Sequence, residues 1–313
     1  MTGFISTNPP QCPQGLIDRA RLARTRPMRL AIARASAPLP MQTAHQAWKD
    51  GIANPVLIGE EEGIRREAEQ IGWDLDGITI HNTSGEEAAI EATVALARSG
   101  AVDALMKGHL HSDVFMGGIV KRDAGIRGDK RMVHVFAMYP RGGGSPLLIS
   151  DAAVNVAPDR KTREQALITL ADTAIALGIE RPRIAILSAT ETPIASIPSS
   201  MEARELSAWA QDNVHNAVVN GPLSFDLAVA PEAVTVKELK GNPVAGQADA
   251  LLVPEITAGN ILFKSLVWFN GACAAGVVIG GNVPIILTSR ADHHEARMAS
   301  IAMAALLSGK GAS

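Results

Sequence analysis

The sequence is poor in aromatic residues and cysteine and has no marked excess of charge of either sign. Aromatic residues make up 4% of the 313 residues, whereas hydrophobic residues make up 47%. The interior must therefore be built mainly from small aliphatic side chains. That composition is typical of α/β proteins, and the length is sufficient for two domains.

The near-balance of charge argues against a nucleic-acid-binding protein. There are 29 Lys and Arg residues against 32 Asp and Glu residues, for a formal net charge of -3. A broad basic surface is absent, so an anionic ligand must be held by a local cationic site. The two cysteines, Cys12 and Cys273, have no CxxC or Cys/His spacing, which argues against a disulfide framework or a structural zinc site. We expect both thiols to be reduced.

Long apolar runs are also lacking. None approaches the roughly 18 residues that a membrane-spanning helix needs. The first 14 residues are polar and contain proline, unlike a signal peptide. We expect a cytoplasmic protein that does not associate with membranes.

What the chain does contain is an alternation of strand and helix patterns, which predicts a largely parallel sheet covered by helices. Strands are predicted at 28–35, 55–59, 77–81, 101–106 and 132–139, and helices at 41–50, 61–70 and 86–98, with Ser84 as a candidate N-cap. The glycine-rich stretch 140–146 is interpreted as an interdomain crossing. A second α/β set follows, and the chain closes with a strand at 283–288 and a helix from about 290 to 307. The pattern alone leaves open which domain these last elements join.

The segment Thr288–Asp292 is the most informative local motif. In one interpretation, Ser289 and Asp292 form a helix-capping pair and Arg290 makes a surface ion pair. In the other, the free amides of a helix start and the Arg290 guanidinium form a site for phosphate or an oxyanion. The second interpretation is favoured by position, because ligands of α/β proteins gather at the carboxyl ends of strands.

Three further segments offer candidate ligand contacts, each with a plainer alternative. Lys107, His111 and Ser112 follow a predicted strand, but a solvated lysine and structural histidines are commoner, and the HxH pair lacks a third metal ligand. Arg127 follows a basic pair and could contact cofactor phosphates or be ordinary surface charge. Asn260 and Lys264 lie at a predicted helix start, which either faces a ligand or is only a loop and cap.

Eight segments, taken in order, resemble the phosphate acetyltransferase and phosphate butyryltransferase family. They are MKGHLHS, GIR, HVFAMYP, LLISDAAVNVAPD, AILSATET with IPSS, NGPLSFDLA, NPVAGQADALLVPEITAGNILFK and VPIILTSRAD. The resemblance covers nearly all of the chain from about Met28. The final segments are closer to the butyryl-type branch and to the acyltransferase half of longer hydratase fusions.

This resemblance implies a two-domain α/β fold of the isocitrate and isopropylmalate dehydrogenase type, with an interdomain cleft and a homodimer as the usual unit. In that fold the chain crosses over and then returns to the first domain. We therefore expect residues 1–142 and 282–313 to form one domain and residues 143–281 the other.

The resemblance also implies a reaction in which a short-chain acyl-CoA and inorganic phosphate give an acyl phosphate and coenzyme A. Coenzyme A is then substrate or product, and neither a metal nor a tightly bound cofactor is needed. Arg290 matches the family's active-site arginine and Ser289 its neighbouring hydroxyl donor. The family's acid would fall near Ala296, so Asp292 or Glu295 must replace it. The candidate substrate-binding residues are Lys107, His111, Ser112, Arg127, Asn260 and Lys264.

One departure concerns the loop after KGHLHS, where acetyl-specific members commonly have an arginine. This chain has Met116-Gly117-Gly118 there, so Lys107 or Arg127 must supply the charge. Two alternative functions remain open. A noncatalytic acyl-CoA-binding protein on the same scaffold would explain the missing arginine, and a metal- and NAD-dependent hydroxyacid dehydrogenase would need clustered aspartates, which the sequence lacks.

Overall fold

The computed structural model describes residues 3–121, 125–287 and 292–309. The chain divides into two compact units. The central unit comprises Met1–Asn8 and Val133–Ala274, and the N-terminal unit comprises Pro9–Met132 and Ala275–Ser313. Both have strands covered by helices, which confirms the predicted α/β class.

The N-terminal unit contains a mixed sheet with the strand order β3-β2-β1-β4-β11-β10. The first five strands are parallel to their neighbours, and β10 is antiparallel to β11. The strands are β1 (Met28–Ala33), β2 (Ala53–Gly59), β3 (Thr79–Asn82), β4 (Ala104–Lys107), β10 (Cys273–Ile279) and β11 (Ile285–Ile286).

The helices of the N-terminal unit pack on this sheet or on one another. They are α1 (Gln14–Leu22), α2 (Pro38–Lys49), α3 (Glu61–Gln70), α4 (Gly85–Arg98), α5 (Ser112–Val120) and α11 (His294–Ser308). In α11, every residue from Arg297 to Leu306 is buried. This helix is enclosed because α1 and α2 pack on it as well as strands of the sheet. Among the described residues, no helix is long and apolar enough to cross a membrane.

The central unit has the strand order β5-β6-β9-β7-β8, with β5 antiparallel to β6 and the remaining pairs parallel. Its strands are β5 (Val133–Tyr139), β6 (Leu147–Ser150), β7 (Arg183–Leu187), β8 (Val218–Leu223) and β9 (Ala250–Leu252). Its helices are α6 (Arg160–Ala176), α7 (Pro198–Asn213), α8 (Phe225–Val229), α9 (Pro231–Val236) and α10 (Ile256–Asn270).

Several predicted boundaries differ from the structure. Strand β1 ends at Ala33 because Arg34 adopts a left-handed backbone conformation, with φ of 56°. The glycine-rich stretch 140–146 joins the antiparallel strands β5 and β6. Ser84 stands at the N-cap position of α4 but makes no side-chain cap, and the Glu60 carboxylate accepts from Gly85 N at 3.1 Å instead.

Candidate active site

Three neighbouring strands of the N-terminal unit end at one edge of its sheet. Ile32 of β1 and Ile286 of β11 both lie opposite Met106 of β4, and all three strands run parallel. The residues that follow Ala33, Lys107 and Ile286 therefore emerge side by side. This is the edge at which α/β proteins bind ligands.

The turn after β4 lies directly against the end of β1. Gly108 N donates to Ala33 O at 2.9 Å, and His109 N donates to Arg34 O at 2.9 Å. A Cβ at position 108 would lie 2.4 Å from Ala33 O, so only glycine fits. The turn therefore requires glycine at position 108, and this close approach fixes the position of Lys107.

Lys107 is 3% exposed, which rules out the solvated-charge interpretation. Its ammonium donates to Leu110 O at 3.0 Å, inside the turn that follows it. Lysines are seldom fully buried without compensating contacts. A buried cation at the carboxyl edge of the sheet is suited to stabilise an anion there.

An ionic network links the ends of β1 and β2 to the start of α4. The Arg34 guanidinium lies 3.4 Å from Glu60 and 3.3 Å from Glu86. Burial raises the pKa of Glu60, but hydrogen bonds from Ser36 and from backbone amides, together with the Arg34 charge, outweigh it and lower that pKa to about 2. The Arg34 guanidinium is therefore held in place by ion pairs with two carboxylates.

His111 and Ser112 lie at the exposed start of α5. His111 is its N-cap residue, and its Nδ1 lies 3.0 Å from Glu86 Oε1. Burial raises the pKa of Glu86, but bonds to His111 and the Arg34 charge lower it overall. Both predicted residues thus belong to the same edge as Lys107. Arg127 is exposed and forms an isolated antiparallel bridge with Gly281, just before β11.

The predicted catalytic pair Ser289 and Arg290 lies outside the described residues. The predicted start of the last helix at about residue 290 is wrong, because α11 begins at His294 and its N-cap is His293. Asp292 lies just before this helix and interacts electrostatically with Arg297. Burial lowers the pKa of Arg297, and the Asp292 charge opposes that shift. The alternative acid, Glu295, accepts from Cys12 N at 3.0 Å.

In the central unit, Asn260 and Lys264 occupy α10. Asn260 Nδ2 donates to Ala152 O at 3.3 Å, in the loop that follows β6, whereas Lys264 is exposed. The first amides of α10 bind the Glu255 carboxylate, which accepts from Thr257 N and Ala258 N at 2.7 Å each. These two amides are therefore already occupied. The roles of Asn260 and Lys264 in substrate binding stay predictions.

Sequence reasoning missed a polar cluster at the carboxyl edge of the central sheet. Asp151 follows β6 and accepts from His134 N at 3.1 Å and from Asn155 Nδ2 at 2.7 Å. His134 is fully buried, with no hydrogen-bond partner at either ring nitrogen, and burial lowers its pKa to about 4. At the end of β7, the Ser188 hydroxyl lies 2.9 Å from the Ser199 hydroxyl. The string LLISD carried a usable signal, an acid directly after a buried strand.

A groove of about 570 Å³ lies elsewhere, between α4 and α5. None of the predicted site residues within the described ranges lines it. Among the described residues, no group of three or more His, Cys, Asp or Glu side chains is arranged to hold a metal ion.

Comparison with known proteins gives a consistent set of likenesses. The family described as "Phosphate acetyl/butaryl transferase" matches residues 88–305. The chain is 40% identical over 293 residues to a phosphate acetyltransferase of Rhizobium meliloti, across 90% of this chain and 92% of that protein. It is 33% identical over 282 residues to a phosphate butyryltransferase of Clostridium acetobutylicum, across 90% of this chain and 93% of that protein.

A solved structure shows the same family likeness. The crystal structure of a branched-chain phosphotransacylase from Enterococcus faecalis V583 matches with a TM-score of 0.78 and 31% identity, covering 90% of this chain and 99% of that one. The likeness therefore extends over the fold as well as the sequence.

Proposed function

This chain belongs to the phosphate acetyl- and butyryltransferase family, and we propose from that premise that it transfers a short acyl group between coenzyme A and inorganic phosphate. It is a phosphate acyltransferase. The observation that carries the proposal is the family match over 88–305, which spans the turn after β4, strand β11 and the start of α11.

The site proposed for phosphate is the carboxyl edge of the N-terminal sheet. Lys107 supports it as a buried cation held by the turn at Gly108. Arg290 and Ser289 lie in the sequence between β11, which is parallel to β4, and α11. We assign Arg290 to the phosphate and the developing negative charge, and Ser289 to hydrogen-bond donation.

The chemistry requires two anionic substrates to be held together. A phosphate oxygen attacks the thioester carbonyl, the carbonyl oxygen becomes negative, and the C–S bond then breaks to release the thiolate of coenzyme A. Preorganised donors and cations lower this barrier by stabilising charge where it develops. A thiol has an unperturbed pKa of about 8.5, so the departing sulfur needs only a modest proton donor.

For that proton transfer we propose Asp292 rather than Glu295. The Glu295 carboxylate already accepts from the Cys12 amide, which ties the start of α11 to the N-terminal segment. Asp292 lies outside the helix and beside the charge of Arg297. The remaining substrate contacts are assigned to His111, Ser112 and Arg127 in the N-terminal unit, and to Asn260 and Lys264 in the central unit.

The finer architecture is also part of the proposal. We assign the fold to the isocitrate and isopropylmalate dehydrogenase type, with the catalytic cleft between domains 1–142 with 282–313 and 143–281, and a homodimer as the working unit. The course of the chain supports this, because it leaves the N-terminal unit, builds the central unit and returns. Coenzyme A then acts as substrate or product and not as a bound cofactor.

The test is release of free thiol from acetyl-, propionyl- and butyryl-CoA, with and without phosphate and with no added metal. We expect phosphate-dependent release, whose rates rank the acyl chains. Arg290→Ala should lower turnover by about 100-fold or more. The control is Arg204→Ala, at an exposed position on α7. Acyl-CoA binding with no thiol release from the unaltered protein would favour a noncatalytic binding protein instead.

A further inference from the structure

The buried carboxylate of Asp151 holds together the loop that follows β6. This residue is 5% exposed. Its Oδ1 accepts from Ala153 N and Val154 N at 2.9 Å each, and its Oδ2 accepts from Asn155 Nδ2 at 2.7 Å and from His134 N at 3.1 Å. All four donors are uncharged, yet hydrogen bonds to an ionised acceptor are roughly twice as strong as neutral ones. Asp151 therefore fixes the backbone of this loop against the start of β5.

The first turn of α10 contacts the same loop. Asn260 Nδ2 donates to Ala152 O at 3.3 Å, and the first amide of α10 donates to Val156 O at 3.4 Å. A Cβ at Gly259 would lie 2.7 Å from Asp151 O, so only glycine fits at this contact. The loop thus has a fixed shape, because it is bonded both to its own carboxylate and to a helix.

The loop held in this way has an uncharged and largely apolar surface. We term residues 151–157 the Asp151 loop. After Asp151 its sequence is AAVNVA, without a charged side chain. Ala153, Val156 and Ala157 are exposed, and Val156 is 69% exposed. The Asp151 loop therefore offers apolar contacts on a rigid backbone.

The Asp151 loop leaves the sheet at the edge where α/β proteins bind ligands. In the register of the parallel strands β6, β9 and β7, Ser150 and Ile186 both lie opposite Leu252, so these strands end together. Coenzyme A carries its acyl group on an uncharged pantetheine arm, whereas its charge lies on its phosphates. Ligand sites are lined mainly by apolar groups with a few placed polar ones. The composition of the Asp151 loop fits the uncharged arm.

We propose that Asp151 is a positioning residue for acyl-CoA, which holds the Asp151 loop in the shape that contacts the acyl and pantetheine arm. The inference rests on the proposed function. Asp151 is buried and acts through the loop, whose exposed side chain at Val156 makes the contact. Without the carboxylate the loop would populate other shapes. The apparent dissociation constant of acyl-CoA would then rise by the inverse of the fraction that keeps the binding shape.

The first test is the KM for each substrate, measured by thiol release with the acyl-CoA that is turned over fastest. In Asp151→Asn an amide NH₂ replaces one carboxylate oxygen, so two of the four donors lose their acceptor. The KM for acyl-CoA should rise by about 10-fold or more, since the loss of one hydrogen bond to a charged group corresponds to such a factor. The KM for phosphate should not change, because phosphate is assigned to the N-terminal unit.

The matched control is Asp249→Asn, the same substitution in the same unit. The Asp249 carboxylate also accepts from a backbone amide, that of Arg183 at 2.8 Å. It lies just before β9, at the opposite edge of the central sheet. Neither KM should change in the control. A folded Asp151→Asn protein with an unchanged KM for acyl-CoA would overturn the inference, and so would an equal rise in the KM for phosphate.

Binding of coenzyme A itself, measured by calorimetry without turnover, separates this inference from the proposed reaction. Its dissociation constant should rise in Asp151→Asn by the same factor as the KM for acyl-CoA. An unaltered protein that binds coenzyme A but releases no thiol from acyl-CoA would overturn the reaction alone. Equal affinities of Asp151→Asn and Asp249→Asn for coenzyme A would overturn the positioning role alone.

A second variant covers the case in which Asp151→Asn does not fold, which circular dichroism checks. Val156→Asp places a charge at an exposed position of the loop, so the folded state tolerates it. The charge would lie against the uncharged arm and should raise the dissociation constant of coenzyme A by about 10-fold. The control is Val236→Asp, because Val236 is 82% exposed in the same unit but outside the loop. Equal affinities of these two variants would refute the contact.

Discussion

Replacement of Gly108 by alanine tests the packing that fixes the candidate site. The added Cβ would lie 2.4 Å from Ala33 O and 2.6 Å from Arg34 O, and both are backbone atoms that cannot rotate away. Overpacking of this kind costs about 1–3 kcal/mol. The displaced turn would also lose hydrogen bonds from Gly108 N and His109 N, each worth about 1 kcal/mol. We expect a loss of about 3–5 kcal/mol, a large part of the stability of a typical protein.

The assay is urea unfolding at pH 7, followed by far-UV circular dichroism, with Gly117→Ala as the control. A Cβ at Gly117 meets nothing within 4 Å, and the residue lies inside α5. Alanine should therefore raise helix stability there by about 0.5–1 kcal/mol. A Gly108→Ala protein with the same urea midpoint as the unaltered protein would refute the role assigned to this close approach. If Gly108→Ala is destabilised as expected, the rate of thiol release by this variant should also fall, because the turn positions Lys107.

Two further predictions concern pH and charge. The folded-state pKa of His134 is lowered by burial to about 4, so the unfolded chain binds the proton more readily and stability should fall as pH drops from about 6.5 towards 4. His134→Phe should abolish that part of the decline in the urea midpoint between pH 7 and 5, and an unchanged decline would show that another group causes it. Asp103 contacts Arg24, Arg26 and Arg29 at 2.7–3.2 Å, and these bonds outweigh burial and hold its pKa far below the usual range. Asp103→Asn should cost about 2 kcal/mol of unfolding free energy at pH 7. The difference should shrink below about pH 4, because the unfolded chain takes up a proton there while the native carboxylate stays ionised. Equal urea midpoints at pH 7 would contradict this account.

Local sequence patterns predicted the alternation of elements well, because each pattern reflects a single strand or helix. The prediction for 61–70 coincides with α3, and that for 132–139 differs from β5 by one residue. Errors arose where distant residues decide the outcome. The amide of Gly85 at the start of α4 donates to Glu60, 25 residues earlier, and Ser84 makes no side-chain cap.

The candidate site likewise has some features that the sequence predicts and others that only the tertiary structure shows. That Lys107 follows a buried strand was readable from its neighbours in sequence. The burial of Lys107 could not be predicted in that way. It depends on a turn whose amides donate to the end of β1, more than 70 residues earlier. The pairing of Asp151 with His134 depends likewise on the register of β5 and β6. The assignments of Ser289, Arg290 and Asp292 stay predictions.

By itself, the sequence determined the α/β class, the family and the chemistry that the family implies. The periodicity that predicts a strand or a helix is a pattern of neighbouring residues, and the family motifs are recognised from their order in the sequence. Neither requires coordinates. Only the tertiary structure decided which charges are buried, which helix ends are already capped and which apolar helices are enclosed. These properties depend on contacts between residues far apart in the chain, and α10 and α11 illustrate this, since two similar apolar sequences differ in burial solely through what packs on them.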